Sequence, residues 1–173
     1  MTSKPTTKPA HIQTLIDNTI EVISLIGFHV VLTGKDSGRR HHVEILNKSA
    51  LVLLVACWES FVEDVATQGF DFLLSEAKTP NAFPQSVLAL SAKPLRESDD
   101  PRKLYELAGE GWRTVLRKHR QKVLEDYAGK LNTPKPKQVN DLIEKMIGLK
   151  GISSEWKWRG MPNNIRGKKL GAT

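Results

Sequence analysis

The densest chemistry in the sequence lies in Trp112–Lys122, WRTVLRKHRQK, where Arg113, Arg117, Lys118, Arg120 and Lys122 crowd around His119. On a helix Arg113 and Arg117 share a face, as do Lys118 and Lys122, and like charges so placed repel one another. A phosphate backbone would relieve that repulsion, which makes these five cations candidate nucleic-acid contacts; the alternative is a solvated charged face. Glu59 and Glu63 form an acidic pair on one helical face, able to position a catalytic group or to face solvent. No metal or cofactor is expected. His41 and His42 are adjacent without further ligands at metal spacing, and Gly34-Lys35 lacks the rest of a phosphate-binding loop. Trp156 and Trp158 alternate with Lys157 and Arg159, a composition that either stacks bases or closes a core.

These residues need helices to position them. Ile12, Leu15, Ile16, Ile20, Ile23, Ile26 and Val30 recur at three- and four-residue steps, predicting an amphipathic helix that ends near Thr33. GKDSGRRHH then reads as a turn, sending the chain back antiparallel as a helical hairpin. His42–Leu74 is read as the helix around which the rest is built. Ala50–Trp58, ALVLLVACW, is apolar on every side and is expected to be fully buried. It is far shorter than the ~20 residues of a membrane span, so no membrane is expected. The proline-rich stretch after Leu74 reads as loop with one short helix at Val87–Leu90. Asp100-Pro101 starts a further helix, with Asp as N-cap and proline at the first position, and Gly109 and Gly111 bend it. Val139, Leu142, Ile143, Met146 and Ile147 mark a last helix that stops at Gly148 or Gly151. With no alternating strand pattern, the fold class is all-α: a helical bundle around a buried central helix with a loop-rich insertion.

At 173 residues with one cysteine, Cys57, the chain is expected to be a single cytoplasmic domain without an internal disulfide. Residues 1–10 read as a flexible leader without a secretory apolar core, 11–160 as the domain and 161–173 as a basic tail. The net charge is +7. Residues 111–137 hold eight Lys/Arg against two acids, and residues 150–173 hold six against one. Such concentration points to an anionic partner, RNA among the possibilities, or to solubility charge alone.

The order of RRHHVEIL, SALVLLVACWESFVEDVA, a proline-interrupted insertion and EWKWRGMP resembles the HEPN superfamily, particularly its RiboL-PSP-HEPN branch, over roughly residues 40–170. The run into Trp58-Glu59-Ser60-Phe61-Val62 is the most specific piece. The resemblance implies a helical bundle that dimerises or pairs with an antitoxin-type protein. It also implies metal-independent endoribonuclease activity in a toxin–antitoxin or antiviral defence setting. Catalysis in such domains uses an Arg followed by a polar residue and, four to six positions on, a His near the last helix. Here Arg113 and His119, with five residues between them, are the formal match, but Thr114 follows Arg113, the pair sits mid-chain, and six steps along a regular helix leave the two side chains roughly 120° apart, so the match is read as accidental. The ending NNIRGKKLGAT reads as the approach to a further helix carrying the motif, so the catalytic residues are unknown and this chain alone is expected to be inactive. The alternative is a non-enzymatic helical interaction or dimerisation module.

Overall fold

The computed structural model describes residues 8–33, 44–127 and 135–156. Every regular element among them is helical: α1 (Ala10–Thr33), α2 (Glu44–Glu76), α3 (Gln85–Arg96), α4 (Gly111–Tyr127) and α5 (Pro136–Ile147), with 3-10 segments at Pro80–Ala82, Pro101–Leu107 and Ile152–Glu155. The expected all-helical class is therefore observed. The chain divides into two compact units between Asp64 and Val65, within α2. The turn at GKDSGRRHH with His41 and His42, most of the leader, Trp158 and the basic tail lie outside the described residues.

The first unit pairs α1 with the N-terminal stretch of α2. The ring centroids of His11 and Phe61 lie 5.9 Å apart, so the start of α1 lies beside Phe61 and the two helices form the antiparallel hairpin that the sequence predicts. Val22, Ala50 and Val62 are buried there. The expectation that Ala50–Trp58 is inaccessible is corrected: Leu51, Val52, Leu53 and Leu54 are 63%, 67%, 47% and 46% exposed. Among the described residues of this unit α1 is the one neighbouring helix, and a single helix covers only a stripe of its partner, leaving the other faces of an all-round apolar run uncovered.

The second unit holds the densest core. Phe70, Val87, Leu116, Leu142 and Met146 bury their side chains completely, and Phe70 packs on Phe83 with centroids 5.4 Å apart. From Val62 onward the buried positions of α2 are Ala66, Phe70 and Leu74, one per turn at four-residue steps. α3 is longer than the predicted Val87–Leu90 because Val87, Ser91 and Leu95 continue one buried stripe. Pro94 in its last turns removes a single backbone donor without ending the helix.

Asp100 caps the 3-10 segment as expected, accepting from the Arg102 N–H at 3.0 Å. The chain does not run on into α4, however. Gly109 adopts φ +56°, and a Cβ on Gly111 would collide with the Glu106 carbonyl, so the predicted bend is a complete break. α5 ends at Gly148 in the left-handed conformation, φ 75°, where a Cβ would lie 2.5 Å from Pro84. Glycine there serves both the C-cap and the close approach to the start of α3. Asn140 fastens the segment after α5, its Oδ1 accepting from the Ser153 N–H at 2.8 Å and its Nδ2 donating to Ser153 Oγ at 3.0 Å.

Candidate nucleic-acid interface

α4 turns Trp112, Val115, Leu116, Val123 and Tyr127 into the core, and three- and four-residue spacing places the intervening cations on the remaining faces. Arg113 is committed to α2: Nη1 donates to the Leu74 carbonyl and Nη2 to the Ala77 carbonyl, each at 2.6 Å. These are carbonyls at the end of α2 that lack a helical partner of their own. The guanidinium also pairs with Glu110 at 2.5 Å and lies 4.4 Å from the Trp112 ring centroid.

Arg120 is likewise held, donating from Nη1 to both Asp71 carboxylate oxygens at 2.5 and 2.6 Å. Lys118 bonds Glu106 at 3.1 Å, and Lys103 bonds the other oxygen of the same carboxylate at 2.9 Å. The hydrogen bonds from Lys103 and then Lys118 hold the Glu106 carboxyl below its ordinary pKa. Arg117 and Lys122 are exposed, and neither forms an ion pair with the described residues. The five sequence candidates thus differ in kind. Arg113 and Arg120 brace the fold, Lys118 is shared with Glu106, and Arg117 and Lys122 retain their full capacity for an external anion.

Arg113 and His119 do not converge. Arg113 faces the end of α2, whereas His119 Nε2 lies 2.9 Å from the Lys145 carbonyl of α5. A carbonyl only accepts, so Nε2 carries the proton. Glu59 and Glu63 lie in the first unit on α2, both half-buried. Burial first, then the neighbouring Glu59 and Asp64 charges, raise the Glu63 pKa. No group of three or more His, Cys, Asp or Glu fit to hold a metal occurs among the described residues. Trp156 is half-buried at the end of the last 3-10 segment.

Beside α4 lies a cleft of about 420 Å³ walled by α3, the Pro101–Leu107 segment, α4 and Lys145 of α5. No sequence signal announces it, since Lys93, Lys103 and Lys145 come from three separate elements.

No curated protein matches the chain, and no solved structure does. The RiboL-PSP-HEPN family model matches residues 15–171, nearly the whole sequence, from within α1 through α5 and the last 3-10 segment. With an all-helical fold and that match, the chain belongs to the RiboL-PSP-HEPN family, a HEPN-domain family.

Proposed function

We propose that the second unit binds single-stranded RNA through the exposed cations of α4, and that binding rather than strand cleavage is its task. The carrying observation is that Arg117 and Lys122 stand exposed with no ion pair among the described residues, in a chain of net charge +7. Cleavage without a metal requires an Arg and a His acting at one phosphate, the first on the charged transition state and the second on the proton. Arg113 is consumed by the Leu74 and Ala77 carbonyls, and His119 faces the Lys145 carbonyl and not Arg113. The setting proposed is the one HEPN domains imply, a cytoplasmic toxin–antitoxin or antiviral defence system.

Salt dependence tests this reading. Each phosphate contact on a single strand contributes ~0.7 to the slope of log K against log salt. Changing Arg117 and Lys122 together to Gln is therefore expected to lower the slope by ~1.4 with the fold intact. An unchanged slope, or no RNA binding by the parent chain at low salt, would remove the reading.

A second reading is favoured by a different observation, the exposed apolar side chains of the first unit, Leu51 to Leu54 on α2 and Ile20, Ile23, Phe28 and Val31 on α1. We propose that this surface pairs with a second copy or a protein partner, since exposed apolar surface on this scale marks interaction sites. The α2 stretch Ile45–Glu76 also has the length and composition to cross a membrane. Leu51→Glu with Leu54→Glu is expected to convert a dimer into a monomer by sedimentation. A parent chain that is monomeric in solution without detergent and enters lipid vesicles would overturn this pairing.

A further inference from the structure

Glu106 lies 12 residues before Lys118, and on one continuous helix that separation would hold them about 18 Å apart. The break between the Pro101–Leu107 segment and α4 removes the distance. Gly109 takes φ +56°, and the Glu106 carbonyl approaches Gly111 so closely that a Cβ there would collide with it. The segment is thereby folded back on α4. Glu106 Oε2 accepts from Lys118 Nζ at 3.1 Å, and Oε1 accepts from Lys103 Nζ at 2.9 Å. The glycine break thus sets a carboxylate on the cationic helix that follows it.

The segment does not fill the core. None of its residues is buried, and Leu104 and Tyr105 are 50% and 78% exposed. Glu106 ties it by side chain to α4, with both carboxylate oxygens engaged. The bonds from Lys103 and then Lys118 hold the carboxyl below its ordinary range, so Glu106 is charged at neutral pH. Lys118 stands one turn before Lys122 on the same helical face. Lys122 has no ion pair among the described residues, whereas Lys118 has Glu106. The folded-back acid therefore divides two cations that the helix presents together.

We infer, resting on the RNA-binding reading above, that Glu106 is an autoinhibitory counter-anion that withholds Lys118 from RNA. An ammonium that must release a carboxylate to take a phosphate exchanges one charge-assisted hydrogen bond for another. Lys118 therefore adds nothing to RNA affinity while Glu106 is in place. Arg117 and Lys122 give up no ion pair among the described residues and supply the attraction. Removal of the carboxylate lets Lys118 join Lys122 on one face, and it also frees Lys103 on the segment itself.

The test measures binding of a labelled oligouridylate across a salt series by the full chain, by Glu106→Gln, by Lys118→Gln and by the double variant. Glu106→Gln is nearly isosteric at a surface site, so the circular-dichroism spectrum is expected to persist. Its slope of log K against log salt is expected to steepen by at least ~0.7, one added phosphate contact, with higher affinity at low salt. Lys118→Gln alone is expected to leave the parent slope unchanged, whereas in the Glu106→Gln background it removes ~0.7. A folded Glu106→Gln chain with the parent's slope, or an equal loss on Lys118→Gln in both backgrounds, would overturn the autoinhibitory role. Glu76→Gln removes the same charge from the end of α2 and is expected to leave the slope unaltered; a matching rise there would assign the effect to net charge and overturn the role as well. Binding by the parent and by Glu106→Gln with one slope refutes the contact and keeps the RNA-binding reading. Binding by neither at low salt refutes both, and binding by Glu106→Gln alone supports the contact.

Discussion

Replacing Arg113 with Met separates a structural arginine from a catalytic or phosphate-binding one. The side chain is 25% exposed and donates to two carbonyls at 2.6 Å, on residues Leu74 and Ala77 that are themselves buried. A hydrogen bond from a charged donor contributes about 1.5–3 kcal/mol, and stacking on Trp112 adds up to about 1 kcal/mol. The Glu110 carboxylate, 72% exposed, adds little. Partial rehydration of the freed carbonyls offsets some of the two-bond loss, so Arg113→Met is expected to cost ~2–4 kcal/mol. Arg113→Lys should recover at most part of this, because one ammonium does not reproduce the planar fork that reaches both carbonyls. Urea titration by circular dichroism measures the loss, and the salt slope of RNA binding measures any phosphate contact. A cost below ~0.5 kcal/mol, combined with a slope reduced by ~0.7, would overturn the structural role, since it would place Arg113 on the ligand and not on α2.

Two further outcomes are expected. Leu142→Ala, at a fully buried site, should cost ~2–5 kcal/mol, whereas Leu54→Ala, 46% exposed, should cost well under half as much in the monomer; equal losses in denaturant titration would show that the hairpin face is covered. Glu63→Gln should raise the melting temperature at neutral pH. A carboxylate whose folded pKa is raised binds its proton more tightly in the folded state, so stability falls as pH rises through the interval between its unfolded and folded pKa. The advantage of the variant should therefore shrink on acidification toward the ordinary carboxylate range, and a constant difference across that range would contradict the assigned cause.

Local physics made much of the fold legible before any coordinates. The three- and four-residue recurrence of Ile and Leu marked α1, and of the two glycines that could end α5, Gly148 and Gly151, the left-handed cap occurs at Gly148. Asp100-Pro101 announced a helical start because capping needs only neighbouring residues. What the tertiary structure decided is which neighbours an element meets. Ala50–Trp58 is apolar all round, a pattern that reports what a surface requires and not what covers it, and here Leu51 to Leu54 face outward. The five cations of α4 are indistinguishable as sequence. Asp71 is 49 residues from Arg120, and Leu74 is 39 from Arg113, so only the folded chain separates those that brace α2 from Arg117 and Lys122, which do not. The cleft likewise exists only because α3 and α4 pack side by side, bringing Lys93 and Lys122 to one rim over an aliphatic floor that neither helix carries alone.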